Sequence, residues 1–552
     1  MRRDGSLDAV SCAQAARAPR RSSPVPRTGW SRRDFLGAGR GSTLPLVGCG
    51  DNIGPAAPRT IAIVGGIAGL TAAHYLARSG VRAELYEGSM RAGGRMWTQR
   101  GLPGNQLVEL GGELVDTDHV VIPRLASRYG LQLDDLIDDT ASLKQDTFLF
   151  NTVVQNEATI VAAFRPVAMQ MALNVAASEG TDPASVTEFE RIDAMSIPEW
   201  LTMEAGLPAN AMIKELLEIA YLEEYGIEAA MQSAWNMIYL IDHETPDPFR
   251  VFGDSDERFH IHEGSDALTT ALADDLESGQ LHLDHRLTKV AMVADRYELT
   301  FDVSGTPVSV FADHVVYALP FTKLREVDLT ASGLSEDKLD VITNLGYGTN
   351  AKLMLQFTDR HWETTQMSAG GAITDVGELQ TIWATSRGQD GIQGILTNFV
   401  GGNRGLTIGE GTPESQAQQV LPWINTVFPG TAAKYVPNSA IRMHWPSYEF
   451  TKGSYAGYLV GQWKYFGTEG AREGNQHFCG EHCSEDYQGY MEGGAETGLL
   501  VAAEILDDLR ATKPFELVEQ LKLVASRPRA SYHAGFGERM RLGEIRRRDS
   551  RY

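Results

Sequence analysis

Between residues 60 and 87 the chain has few ways to fold. Residues 60–64 carry an unbroken apolar run, Ile61-Ala62-Ile63-Val64, and Gly65, Gly66 and Gly69 follow at once. Residues 70–79 then repeat apolar side chains at helical spacing, with Leu70, Ala73, Leu76 and Ala77 on one face, and Gly80 stops the run. A second strand over 81–86 leads to Glu87. Strand, glycine turn, helix and strand together make a βαβ unit. Glycines at its first turn let backbone N–H groups and a helix N-terminus close on a pyrophosphate. Glu87 lies about 20 residues after Gly66, where a carboxylate can grip the ribose hydroxyls of an adenosine. The loop departs from the full Gly-x-Gly-x-x-Gly spacing. Counted back from Gly66 and Gly69, the first glycine belongs at position 64, which is Val64. The loop is one residue short, and weakened retention of the dinucleotide is expected.

At 552 residues the chain is too long for one core and suits two intertwined domains with short tails. Hydrophobic residues at 43% and charged residues at 22% mark a folded protein. The net charge of −23, with arginines gathered near the two ends, argues against nucleic acid, which requires clustered positive charge in the fold. No run of about 18 apolar residues is evident, so no membrane span is expected. Four cysteines, Cys12, Cys49, Cys479 and Cys483, do not make a disulfide framework.

Ser31-Arg32-Arg33-Asp34-Phe35-Leu36-Gly37, followed by a mildly apolar stretch to Val47, reads as a twin-arginine export signal, the alternative being a disordered basic arm. Leu46-Val47-Gly48-Cys49 resembles a bacterial lipoprotein cleavage box, which would put a lipid on Cys49. A periplasmic or secreted location is expected.

Two further motifs separate FAD from the NAD of an ordinary βαβ unit. Arg91-Ala92-Gly93-Gly94-Arg95 follows Glu87, and Val108-Glu109-Leu110-Gly111-Gly112-Glu113 comes next. In this order they resemble the flavin amine oxidase family, which includes monoamine, polyamine and L-amino acid oxidases. The resemblance runs from about residue 58 to 512. It implies an α/β fold: a glutathione-reductase-like Rossmann FAD domain built from 58–118, 255–325 and 470–512, interleaved with a mixed substrate domain from 119–254 and 326–469. The signal and linker would occupy 1–57, and 513–552 form a basic tail, read as disordered. Glu263-Gly264-Ser265-Asp266-Ala267-Leu268 resembles the turn back into the FAD domain, and Val290 is expected where backbone meets the adenine.

The same resemblance assigns the chemistry. Gly65, Gly66, Gly69, Glu87, Gly94, Arg95, Gly112 and Glu113 would line the FAD site. Lys352, with Trp362 downstream, would hold a water against flavin N5. Tyr455 and Tyr490 would frame the substrate in front of the flavin ring. Ser454 stands where monoamine oxidases carry the cysteine that bonds to flavin, so FAD is expected to be non-covalent. Glu481, in Phe478-Cys479-Gly480-Glu481-His482, would bind ribityl or ribose hydroxyls, and a helix starting near Met491 would point at the flavin pyrimidine edge. His477, Cys479, His482 and Cys483 lack zinc spacing, and no metal is expected. The implied activity is oxidation of an amine C–N bond to an imine, with O2 as acceptor. An L-amino acid oxidase is the alternative. It requires a cation for the carboxylate, for which Arg387 and Arg442 are available, while Trp97 stands where such a cation would be sought. A flavin-binding relative without activity is the third reading. Oligomeric state is not legible.

Overall fold

The computed structural model describes residues 60–180 and 182–527. The twin-arginine segment, Cys12, Cys49 and residues 528–552 lie outside them.

A five-stranded parallel sheet gathers four distant pieces of chain. Its order is Leu281–His282, Glu84–Tyr86, Ile61–Gly65, His314–Ala318 and Gln476–Phe478. Ile61–Gly65 is the middle strand and is covered on both faces, which is why its sequence is apolar without alternation. Ile61 and Ile63 pack beneath the helices Ile67–Arg78 and Met491–Asp508. Ala62 and Val64 face the opposite way, towards a four-stranded sheet ordered Thr306–Ala312, Arg296–Val303, Arg286–Val293 and Asp328–Ala331. Tyr86 stacks on Phe301 of that sheet at 4.5 Å between ring centroids. Each of the three stretches expected to build the FAD domain thus supplies strands to the parallel sheet.

The second half is built on a seven-stranded sheet. Four of its strands run in the order Ile441–His444, Ala351–Phe357, Gly394–Val400 and Gln380–Ala384. Ser368–Thr374 follows and pairs in parallel with Lys144–Phe150, which brings the two substrate-domain stretches together. Helices including Ile197–Met203 and Met212–Tyr225 belong to this half. Ser196 and Glu199 form a reciprocal capping box that starts the first of these, as Ser196 ahead of Pro198 suggests.

Three features differ from the sequence reading. Helix Val121–Arg128 packs in the dinucleotide-side core through Val121, Ile122 and Leu125, so the chain leaves that domain later than residue 118. The expected disordered tail contains a helix, Phe515–Ser526, whose Leu517 is fully buried. Beyond it, Arg527 donates to Glu496 Oε2 at 2.6 Å and lies 4.4 Å from the centroid of Tyr487. Helix Glu157–Ser178 has 22 residues and a mean hydropathy of 1.4 over its best window, long and apolar enough to cross a membrane. It carries Arg165 and Pro166 and buries Phe164, Val167 and Met171 in the protein core, which is how a core helix behaves.

The cofactor-side helices meet through a glycine. A Cβ on Gly498 would lie 2.2 Å from the Ala68 carbonyl oxygen, so only glycine lets Met491–Asp508 reach Ile67–Arg78. Gly498→Val is expected to destabilise the protein by about 1–3 kcal/mol or more, the cost of overpacking a rigid backbone contact. Thermal unfolding of wild type and variant checks this, and an unchanged Tm would show that the helices can part freely.

Candidate active site

One cavity of about 530 Å³ runs between the two halves, and nearly every residue singled out from the sequence lines it. At its dinucleotide end the shortened glycine loop divides three tasks among its three glycines. Gly65 has φ +131°, and a Cβ there would sit 2.2 Å from Ala318 O, so it makes the tight turn off the strand. A Cβ on Gly66 would lie 3.1 Å from Gly94 Cα, so the absence of side chains lets the two glycine segments approach closely at the cavity wall. Gly69 lies outside the cavity and sets helix against strand, its missing Cβ directed at Ile63 and Leu85. The three glycines present are thus all placed where backbone or core comes within 3.2 Å of a would-be Cβ.

Glu87 lines the cavity and accepts from the Ser89 N–H at 2.8 Å, while burial raises its pKa. Arg95 and Glu481, assigned separately to phosphate and hydroxyl contacts, are paired with each other at 2.8 Å. Arg95 also donates to the Ser454 carbonyl at 2.5 Å, and Glu481 accepts from the Gly489 N–H at 2.9 Å. Gly112 lies against Met491 at the start of the long helix, where a Cβ would meet the Met491 side chain at 2.5 Å. No side chain caps that helix end at Tyr490, which leaves N–H groups for a ligand. Closely packed glycines, an uncapped helix start and the buried Glu87 carboxylate in one cavity suit a flavin.

Val290 does not line this cavity. It is fully buried in the core of its strand, paired with Leu299. Arg286, Leu287 and Thr288, at the start of the same strand, line the cavity instead. The resemblance finds the right strand, but the side chains that reach the cavity are those where it enters the sheet.

Lys352 sits on the buried strand Ala351–Phe357. Its ammonium donates to Glu113 Oε2 at 2.7 Å, to Gly111 O at 2.8 Å and to Glu109 O at 3.2 Å. Glu113, expected as a cofactor contact, is the counter-ion of Lys352, and its other oxygen accepts from Trp383 Nε1 at 3.0 Å and Thr385 Oγ1 at 3.1 Å. Burial pushes the Glu113 carboxyl up, but the Lys352 ammonium outweighs it and holds the pKa below the usual range. Lys352 thus joins the cavity wall as a fixed, fully bonded cation.

Ser454, Tyr455 and Tyr490 line the same space. The Ser454 hydroxyl donates to Asn350 Oδ1 at 2.5 Å. The Tyr455 hydroxyl donates to the Glu224 carbonyl, and the Tyr490 hydroxyl donates to the Glu224 carboxylate at 3.5 Å. Glu224 therefore holds both tyrosines. It lines the cavity with Glu223 and Glu257, none of which the sequence reading singled out. Burial and neighbouring carboxylates push Glu224 up to about 7 and Glu257 up to about 8. Trp97 does not line the cavity; Arg91 lies over its ring at 4.4 Å. Arg387 and Arg442 do not line it either, and Arg442 donates instead to the carbonyls of Ile408, Glu410 and Gly411.

Residues 67–506 match the family model of flavin-containing amine oxidoreductases. The chain belongs to that family. It is 24% identical over 479 residues to a flavin-dependent L-tryptophan oxidase of Lentzea aerocolonigenes, covering 81% of this chain and 98% of the relative. It is also 24% identical over 522 residues to a pseudooxynicotine dehydrogenase of Pseudomonas sp, covering 88% and 97%. Among solved structures, cyclohexylamine oxidase from Brevibacterium oxydans superposes with a TM-score of 0.70 at 19% identity, covering 82% of this chain and all of that one. Putrescine oxidase bound to putrescine gives 0.69 at 19%, covering 81% and 99%. The protein is a flavin-containing oxidoreductase acting on amine donors.

In this flavin amine oxidoreductase the acidic trio escapes sequence reading for a physical reason. Two adjacent glutamates at a helix end read as a solvated face, and Glu257 lies in a loop. Only the fold turns them inward. His477, another motif residue, bonds across to His314 at 3.2 Å and to Glu504 at 3.0 Å, while His482 packs edge-on against Phe321.

The Lys352–Glu113 pair predicts a stability test. Lys352→Met leaves the Glu113 charge buried without a cation, an expected loss of about 3–5 kcal/mol. Adding Glu113→Gln should restore much of it, because an amide oxygen at that position still accepts from Trp383 and Thr385. Chemical denaturation of the single and double variants checks this; a single variant as stable as wild type would show the pair to be dispensable. Glu257→Gln predicts a pH effect. The folded pKa of Glu257 lies above the ordinary carboxylate value, so the stability its neutral form contributes is complete below that ordinary range and is lost as pH rises through about 8. The variant should therefore raise Tm at pH 8.5 and leave it nearly unchanged at pH 5, where the folded carboxyl is already protonated. Equal Tm differences at both pH values would count against the buried acid.

Proposed function

We propose that this protein oxidises the C–N bond of an amine with non-covalent FAD, yielding an imine that water converts to aldehyde and ammonia. The observation that carries this reading is the assembly of the dinucleotide cradle, Lys352, Tyr455 and Tyr490 around one cavity whose wall away from the cradle is acidic. When bound, FAD would supply the acceptor for the substrate's hydride and a route for the electron pair to O2, with hydrogen peroxide as the reduced product.

The protein supplies orientation and charge. Tyr455 and Tyr490, both fixed by Glu224, offer aromatic walls that suit an alkyl amine. Glu224 and Glu257, poised near neutral pH, can accept the proton that an alkylammonium must lose before its carbon gives up hydride. Lys352, its three donors taken by Glu113 Oε2 and the Gly111 and Glu109 carbonyls, would lend charge to the flavin side of the cavity wall and has no donor left to hold a water. Ser454 has a hydroxyl in place of a thiol and cannot form a thioether, which supports reversible FAD binding.

The amino acid oxidase reading draws on the tryptophan oxidase relative. It needs a cation for a carboxylate, and the two arginines reserved for that role lie off the cavity. Export by the twin-arginine route, with a lipid on Cys49 as a variant of it, is proposed from the sequence alone.

Acid precipitation of the purified protein should leave the yellow colour in the supernatant, and primary alkyl or aralkyl amines should give peroxide with stoichiometric aldehyde. Colour retained in the pellet would overturn non-covalent binding. Peroxide from free amino acids alone would overturn the amine assignment.

A further inference from the structure

Tyr490 lines the cavity, and the side chains behind it are held by a part of the chain outside the family match, which ends at residue 506. Beyond that point the helix Phe515–Ser526 buries Leu517 in the dinucleotide-side core, and Arg128 donates to Glu516 at 2.9 Å. The docked helix delivers Arg527 to the segment that carries Tyr490. Arg527 is not a surface residue there: its side chain is 5% exposed and pairs at 2.6 Å with Glu496, which is 7% exposed. Its guanidinium carbon lies 4.4 Å from the centroid of the Tyr487 ring. Its Nε and Nη1 atoms are buried with no hydrogen-bond partner among the described residues, so the face of Tyr487 is what they meet.

The two contacts of Arg527 flank Tyr490, since Tyr487 comes before it in the chain and Glu496 after it. Between them the backbone is folded tightly. The Tyr490 N–H donates to the Tyr487 carbonyl at 3.2 Å, and a Cβ on Gly493 would lie 2.0 Å from that same oxygen. A shift of Tyr487 or of the first helical turns is therefore passed to Tyr490. The Tyr487 ring also meets the Tyr490 ring edge-on at 6.3 Å between centroids, and its hydroxyl donates to Asp118 Oδ2 at 2.7 Å. His119 closes edge-on against both rings, at 4.8 Å and 5.8 Å. The hydrogen bond from the Tyr490 hydroxyl to the Glu224 carboxylate is long, 3.5 Å, so much of the ring's placement falls to the packing behind it.

A buried ion pair is a poor source of stability, because desolvation offsets its attraction and apolar side chains could fill the same space. What an arginine adds is fixed geometry: a planar group that lies on an aromatic face while its edge grips a carboxylate.

We infer that Arg527 is a positioning residue for Tyr490, and that the arm following residue 506 is thereby part of the amine site. This rests on the amine oxidase reading above, in which Tyr490 frames the substrate. Arg527 does not line the cavity and acts on the reaction only through the tyrosine.

Anaerobic reduction of the flavin-loaded enzyme tests this, followed by absorbance so that each rate is per bound flavin. The probe is benzylamine or pentylamine, whichever the wild type oxidises faster. Arg527→Gln should slow the limiting rate of reduction about 10- to 100-fold, the scale of misplacing a positioning group by about 1 Å, with little change in the half-saturating amine concentration. Arg527→Gln combined with Glu496→Gln leaves no charge buried alone and should restore Tm and flavin retention, but not the rate. A merely structural role would restore all three together. Arg527→Lys keeps a charge for Glu496 without the planar face, and its rate should fall between wild type and Arg527→Gln. A wild-type rate in the double variant would overturn the inference, and that variant decides the matter if Arg527→Gln fails to fold. A wild-type rate in Arg527→Gln would also overturn it while leaving amine oxidation intact. Wild-type flavin reduced by neither amine would remove the amine reading, and the positioning role with it.

Discussion

The parallel pairing of Ile61–Gly65 with His314–Ala318 is the contact on which the rest of this molecule hangs. It joins residues some 250 positions apart and ends where Gly65 turns against the Ala318 carbonyl. That turn fixes where the helix Ile67–Arg78 begins and therefore where its free N–H groups point. The helix Met491–Asp508 is then positioned by a second glycine contact, Gly498 on Ala68. Both helices start at the same cavity, so two positive helix ends and two glycine cradles converge on one ligand. Neither the phosphate end nor the flavin end of the site could form without this sheet, since no single stretch of sequence contains both.

The substrate half answers with charge. Strand Ala351–Phe357 carries Lys352 into a buried position and satisfies it completely with Glu113 and backbone carbonyls. A buried ammonium without such partners would carry a large desolvation cost, which the Glu113 carboxylate and the carbonyls offset. Helix Met212–Tyr225 contributes the acidic side chains Glu223 and Glu224 to the same cavity, with no cation among the described residues set against them in the way Lys352 meets Glu113. Internal neutralisation recurs beside the first turns of the cofactor helix: Arg527, expected in a loose tail, packs on Tyr487 and pairs with Glu496, whose pKa burial raises to about 7.

How much of this was legible depended on whether the signal was local. The glycine loop, Glu87, Gly94, Arg95 and Gly112 occupy short motifs whose spacing reflects backbone geometry, and all but Gly69 line the cavity. Lys352, Ser454, Tyr455, Glu481, Tyr490 and Met491 were found by resemblance, and all line the same cavity. Partners were harder. Glu113 was read as touching cofactor and proves to bind Lys352, because the ion pair joins a loop to a strand over 200 residues away. The missing loop residue looked damaging in one dimension, yet Gly65 takes up the turn on its own.

The sequence by itself determined the βαβ unit, the family and the chemistry-bearing motifs, because these rest on glycine φ/ψ freedom and on apolar periodicity, which are properties of neighbouring residues. Only the tertiary structure decided that Val290 is core and Leu287 is lining, that residues 515–526 form a docked helix, and that Glu223, Glu224 and Glu257 gather at the substrate space. Burial and electrostatic sign are set by what lies opposite a side chain, and what lies opposite is chosen by the fold.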